Sequence, residues 1–214
     1  MYNTNKQWNH DLQVGAQGEA TFTTVWQNCF GTTPKDVRHD PAYQHIDIDY
    51  LVTDGLHDYI GAEVKTDQRD MPNRVLPSSG SFLVETVKNL NTNKPGWIYE
   101  TDAKMIVMVK QQVNRMYLLN AGNLKQYVQA NEQRYLNNHW YYDAATKRDD
   151  GAIKYKSRNL IIARADLFDA GIFWRVCIPL GGGEWAALGQ ADLYEDKWHE
   201  LCTSPKPTNM IIDF

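Results

Sequence analysis

Cysteine is scarce in this chain of 214 residues, and Cys29, Cys177 and Cys202 stand far apart. With no Cys-x-x-Cys spacing, neither a disulfide framework nor a zinc ribbon is indicated, and all three read as small buried or half-buried residues. Long apolar runs are also missing. None approaches the ~20 residues that span a bilayer, and the polar start Met1-Tyr2-Asn3-Thr4-Asn5-Lys6 carries no secretory segment. No membrane association and a cytoplasmic location are therefore expected. Basic charge is not in excess: the formal net charge of −4 argues against broad coating of nucleic acid, though not against a site that gathers carboxylates. The six histidines form no His-Glu-x-x-His pattern, and no Gly-x-Ser-x-Gly elbow or Walker loop occurs. Gly181-Gly182-Gly183 is followed by no Lys-Ser/Thr and reads as a flexible turn. There is no internal repeat and no low-complexity tract.

What the chain does contain is Glu63-Val64-Lys65, after the strand-like run Gln44-His45-Ile46-Asp47-Ile48-Asp49-Tyr50-Leu51-Val52. Residues two apart on a strand share a face, so Glu63 and Lys65 lie together. Taken alone, Glu-x-Lys is an ordinary exposed ion pair. Here Asp54-Gly55 is a hairpin-turn signal, and it folds the two runs back on each other with their acids facing. Carboxylates suit a hard cation such as Mg²⁺, and a lysine can orient a water or balance charge on a phosphate. Two carboxylates and an ammonium around one point are the equipment of a metal-dependent phosphodiesterase. On strand parity Asp47 and Asp49 share a face, and a hairpin centred near Asp54 and Gly55 would set Asp47 almost opposite Glu63.

Around this hairpin, Phe22, Val25 and Trp26 have helical spacing within residues 11–28, with Glu19 on the adjoining rim. Residues 66–81, with Arg69, Arg74, Pro72, Pro77 and Gly80, read as a long surface loop in which the two arginines are candidate phosphate contacts. Ser81 to Val87 returns to strand character. Met105-Ile106-Val107-Met108-Val109 suits a strand buried on both faces, and Arg115-Met116-Tyr117-Leu118-Leu119 pairs back on it. Leu124, Tyr127 and Val128 then have helical spacing after a start at Gly122-Asn123. Between 131 and 158, Tyr135, Trp140, Tyr141 and Tyr142 are read as packing groups, and the basic residues Lys154, Lys156 and Arg158 as nucleic-acid contacts. Leu160–Ala163 and Phe173–Pro179 are further strands, and the apolar end Met210-Ile211-Ile212-Asp213-Phe214 is expected to dock on the body or on a second subunit.

Over roughly residues 15–130 the order of Glu19, an Asp at 47–49 and Glu63-Val64-Lys65 resembles the PD-(D/E)xK nuclease superfamily. Many restriction endonucleases, Holliday junction resolvases and phage exonucleases belong to that group. Ser79-Gly80-Ser81-Phe82-Leu83-Val84-Glu85 and Gly96-Trp97 leading to Asp102-Ala103 look like the later strand and helix of its phage and mobile-element members. The resemblance implies an α/β fold with a restriction endonuclease-like core: a mixed central β-sheet flanked by helices, with extra C-terminal strands. Residues 1–130 would form that core, and 131–214 an elaboration packed on the same domain. It implies a DNA endonuclease using Mg²⁺ or Mn²⁺, bound by Asp49, Glu63, the Val64 carbonyl and Asp47, with Lys65 and Glu19 completing the catalytic set. Asp49 is favoured over Asp47, because Asp40, Gln44 and Asp49-Tyr50 resemble a pattern in which the later Asp binds metal. Resolvases and many restriction enzymes act as dimers, so a homodimer is the expectation if the chain is of either type. The competing expectation is a catalytically silent member that binds nucleic acid or protein.

Overall fold

The computed structural model describes residues 4–67, 80–148 and 150–189. Helix α1 (Thr4–Phe30) buries Phe22, Val25 and Trp26 and begins earlier than their spacing alone suggests. Gly31, at φ 69, closes it by donating its N–H to Gln27, a left-handed cap for which glycine carries no Cβ penalty. There follow β1 (Lys35–Asp36), α2 (Pro41–Gln44), β2 (Tyr50–Val52) and β3 (Ile60–Asp67), then β4 (Ser81–Asn89), β5 (Lys94–Pro95), α3 (Trp97–Glu100), β6 (Met105–Lys110) and β7 (Arg115–Asn120). The chain continues with α4 (Ala121–Asn137), β8 (Tyr141–Lys147), β9 (Ile153–Ala163), α5 (Arg164–Asp169), β10 (Phe173–Gly181) and β11 (Glu184–Leu188).

These elements make a mixed α/β fold around a large curled sheet flanked by helices. Its seven strands run in the order β1-β2-β3-β6-β7-β10-β11, with β3 and β6 parallel and the other neighbours antiparallel. A four-stranded antiparallel sheet, β5-β4-β9-β8, covers part of it. Every residue of β6 is buried, as a continuous apolar run requires of a strand covered on both sides. On one side Val64, Val107 and Leu118 pack with Phe22, Val25 and Trp26 of α1. On the other, Ile106, Met108 and Tyr117 pack with Phe82 and Val84 of β4 and Leu160 and Ile162 of β9. Among the described residues no helix is long and apolar enough to cross a membrane.

Several sequence expectations need correction. The run 44–52 is not one strand. Asp40 caps α2 through the N–H of Ala42, Pro41 supplies the preset φ of the first turn, and the N–H groups of Ile46 and Ile48 both return to the carbonyl of Tyr43. Extended structure begins only at Tyr50. The strand expected from Ser81 to Val87 forms and runs on to Asn89 as β4, and it pairs with β9 in the second sheet. Helix α4 starts at Ala121, because the Asn120 side chain accepts the N–H of Asn123. That helix is continuous across residues 130 and 131. The C-terminal strands are woven into both sheets, β10 beside β7 and β9 beside β4. Arg69, Arg74, Cys202 and the apolar end at 210–214 lie outside the described residues.

Candidate functional site

The pairing of β2 with β3 decides which aspartate meets Glu63. Tyr50 stands opposite Ala62 and Val52 opposite Ile60, a register that puts residue 49, not 47, across from Glu63. The Asp49 N–H donates to the Ala62 carbonyl at 3.0 Å. Beyond it the chain leaves β3, and the Asp49 carboxylate takes over: its Oδ2 accepts the N–H of Val64 at 2.8 Å. A backbone donor that would lose its strand partner is thereby satisfied by a side chain. Backbone groups of alternate strand residues point to the same edge, so the Val64 carbonyl is directed to this side as well. Burial is the main influence on Asp49 and raises its carboxyl above the usual carboxylate range, against the Val64 hydrogen bond and the charges of Lys65 and Arg38.

Glu63 and Lys65 are in register with Ile106 and Met108, which places them on the face turned toward the second sheet. Glu63 is 3% exposed. Its Oε1 is ion-paired with Lys65 Nζ, and its Oε2 is buried with no hydrogen-bond partner among the described residues. Desolvation, helped by the charges of Asp49 and Asp47, outweighs the attraction of Lys65 and pushes the Glu63 carboxyl up to about 7. Desolvation also acts against the Lys65 ammonium, but attraction to Glu63, then to Asp49 and Asp47, prevails and leaves its pKa above the ordinary lysine value. The ammonium lies 5.3 Å from the centroid of the Trp97 ring, a cation–π distance.

Trp97 in turn is fixed by β4. Its N–H points to Glu85 Oε1 at 3.4 Å, and a Cβ on Gly96 would collide with the Glu85 backbone, so only glycine permits this approach. Burial raises the Glu85 carboxyl, partly offset by the Trp97 N–H and by Lys65. Glu63, Lys65 and Trp97 thus lie where the two sheets meet.

Glu19 is placed differently from expectation. Its helix packs on the opposite face of the large sheet from Glu63 and Lys65, where Gly18 sits so close to Thr66 that a Cβ would overlap its side chain. Glu19 is ion-paired with Arg38, whose Nη2 also meets Asp36 Oδ2 at 2.6 Å and whose guanidinium lies 5.2 Å from the Tyr50 ring centroid. Glu19 therefore reaches the site through Arg38 at the sheet edge. Asp47 also departs from strand parity: it takes φ 49, and its carbonyl accepts the Thr101 hydroxyl at 2.9 Å. Its charge is still felt by Asp49, Glu63 and Lys65. Among the described residues no three His, Cys, Asp or Glu side chains group closely enough to hold a metal ion together.

Of the basic candidates, Lys154 and Lys156 are exposed on β9. Arg158 is engaged: Nε and Nη2 each bond the Asp143 carboxylate at 2.8 Å, and the guanidinium lies 4.4 Å from the Tyr141 ring centroid. Tyr135 is buried against Trp140, in keeping with a packing role. Arg38, Glu85 and the contact of Trp97 with Lys65 were not foreseen. The available signals were Gly96, whose missing side chain marks a close approach, and an arginine just upstream of the acidic hairpin. A cavity of about 440 Å³ between α1 and the β6–β7 turn, lined by Gln17, Thr21, Asn114 and Trp185, includes none of the acidic hairpin.

No family model, curated protein or solved structure matches this chain.

Proposed function

We propose that this protein is a metal-dependent nuclease of the PD-(D/E)xK type, with a restriction endonuclease-like core, that hydrolyses phosphodiester bonds in DNA. The observation that carries this reading is the meeting of Asp49, Glu63 and Lys65 where β2 leaves β3, with the buried Glu63 Oε2 lacking a hydrogen-bond partner among the described residues. A buried carboxylate oxygen with no donor is costly in water-poor surroundings, and a cation is the ligand that relieves it. The donor set fits Mg²⁺ or Mn²⁺: hard oxygens from two carboxylates and the Val64 carbonyl, the rest of the coordination being left to water. When bound, such an ion supplies a water of lowered pKa and neutralises charge on the phosphate.

Asp49 and Glu63 hold negative charge on one side of the scissile phosphate. The Lys65 ammonium keeps its proton, because Glu63, Asp49 and Asp47 all favour the charged form. It therefore acts as a hydrogen-bond donor that orients the attacking water and offsets phosphate charge, not as the base. Trp97 restricts the lysine by covering it. Glu19, held by Arg38, acts on Asp49 through that guanidinium and is not itself a ligand. Lys154 and Lys156 contact the DNA backbone, and a homodimer would carry two such sites for two strands.

The competing reading is a silent member of the same fold that binds nucleic acid or protein. It is favoured by the want of a three-residue metal-holding group among the described residues and by the engagement of Glu19 with Arg38. Cleavage of supercoiled plasmid and of branched and single-stranded oligonucleotides, with Mg²⁺, Mn²⁺ or chelator, separates the two. Metal-dependent cutting abolished by Lys65→Ala supports the nuclease. Binding without cutting on every substrate supports the silent module.

A further inference from the structure

The hairpin of β8 and β9 has no core of its own. Among the described residues from 141 to 159 none is buried, whereas Leu160 and Ile162 farther along β9 are. β4 pairs with β9 only over residues 158–163, and β8 is the last strand of its sheet. Nearer the turn, the Leu90 N–H donates to the Lys156 carbonyl at 2.8 Å and Asn91 Nδ2 to the Lys154 carbonyl at 3.4 Å, so the β9 edge is bordered there. Two strands that bury neither face gain little from the hydrophobic effect, and a lone hairpin is marginal in water. A solvated ribbon is the ordinary reading, but the side chains are sorted in a way that solvation alone does not require. Directly opposed residues share a face. Tyr142 with Asn159, Ala144 with Ser157 and Thr146 with Tyr155 make one face, which carries hydroxyls and an amide and no charge. Asp143 with Arg158 and Ala145 with Lys156 make the other, and Lys154 follows where the register shifts near the turn. Arg148, Lys154 and Lys156 are exposed, while Arg158 is taken up by Asp143. Residues 141–158 hold five lysines and arginines against three aspartates, a positive surplus in a chain of net charge −4.

From this sorting we propose that the β8–β9 ribbon lies in the major groove of double-stranded DNA, with its neutral face against the base edges and Arg148, Lys154 and Lys156 on the phosphates at the groove rims. The inference deepens the proposed function and rests on its reading of the chain as a protein that acts on DNA; what it adds is the duplex, the groove and the residues that meet them. The dimensions agree: the major groove is ~12 Å wide and admits a two-stranded ribbon, whose strands are ~4.8 Å apart. Ala144 and Ala145, one on each face, keep the ribbon thin. Asn159, Thr146 and Ser157 are the side-chain types that exchange hydrogen bonds with base edges, and the lysines, on long flexible stems, reach the rims and release counterions there. The neutral face also leads to the acidic hairpin. Asn159 is paired with Glu85 of β4, Glu85 Oε1 accepts the Trp97 N–H, and Trp97 covers Lys65. A duplex seated on this face is therefore directed toward Lys65.

The test reads binding and needs no cleavage. The full chain carrying Lys65→Ala is saturated onto a mixed-sequence DNA duplex in Mg²⁺ and treated with dimethyl sulfate, which methylates guanine N7 in the major groove and adenine N3 in the minor groove. The expected result is protection of guanine N7 with adenine N3 left reactive, and a single strand of the same sequence should compete at least ~10-fold less well than the duplex. Lys154→Ala combined with Lys156→Ala should weaken duplex binding about 10-fold or more near 0.1 M salt, with an unchanged thermal melt. Ala144→Trp, which thickens the face turned to the bases, should remove the N7 protection. Reactive N7 with protected N3, binding of the single strand as tight as that of the duplex through stacking on Tyr142 and Tyr155, or no duplex binding at all would each overturn the proposal. Cleavage by the wild type is scored separately. Cutting with N7 unprotected keeps the nuclease and removes the ribbon's role; N7 protection without cutting on any substrate keeps the ribbon and removes the nuclease.

Discussion

The Asp49 carboxylate stands in for a strand: its Oδ2 accepts the Val64 N–H at 2.8 Å where the β2 backbone has turned away from β3. One side chain therefore closes the sheet edge and brings negative charge beside Glu63. The two roles can be separated. Asp49→Asn keeps an acceptor for the amide and should fold near wild-type stability, while losing at least ~10²-fold in cleavage rate. Asp49→Ala should lose the same activity and also about 1–3 kcal/mol of stability, because the Val64 N–H is left unsatisfied. Urea unfolding beside a plasmid assay distinguishes them; equal stability of the two variants would refute the strand-closing role.

Glu63 should make the metal-free protein less stable as pH rises. Its folded pKa, about 7, lies above its ordinary value of 4.5, so between these pH values the native state holds a proton that the unfolded state has released. Stability attributable to this group is fully present below pH ~4.5 and falls by about 3 kcal/mol as pH climbs through ~7. Glu63→Gln should flatten this dependence. Addition of Mg²⁺ at pH 7.5 should restore stability to the wild type and not to the variant. Denaturant melts in chelator at pH 5 and 7.5 supply the comparison, and parallel pH profiles for the two proteins would contradict the assignment.

Gly18 and Thr66 set how closely α1 approaches β3. Gly18→Ala introduces a Cβ where the Thr66 side chain lies and should cost about 1–3 kcal/mol by overpacking. Thr66→Ala in the same chain should recover most of that loss. A double-mutant cycle by thermal unfolding gives the coupling, and strict additivity would show that the contact is not limiting.

The basic residues of β9 should divide by role. Replacing Lys154 and Lys156 with alanine should leave Tm unchanged and reduce the salt dependence of DNA binding by about 2 in slope, if both contact phosphates. Arg158→Ala should instead cost about 1 kcal/mol of stability, since its bidentate pair with Asp143 and its stacking on Tyr141 are lost. Binding isotherms at several salt concentrations, with melts of each variant, test both halves.

Local pattern made much of this protein readable in advance. The helical spacing of Phe22, Val25 and Trp26, the apolar run from Met105 to Val109, the hairpin turn around Asp54-Gly55 and the strand position of Glu63 and Lys65 depend on interactions within a few residues. Register did not follow from pattern. Ile46 and Ile48 alternate as a strand should, yet Asp40-Pro41 starts a helical turn instead, and the pairing of Tyr50 with Ala62 exchanges Asp47 for Asp49 opposite Glu63. The departure of β4 to a second sheet, the seat of Trp97 over Lys65 and the capture of Glu19 by Arg38 join residues distant in the chain. Periodicity tells each segment which of its faces is apolar; which segments lie across from one another is settled by the packing of all those faces together, and that choice placed the charged groups of the site.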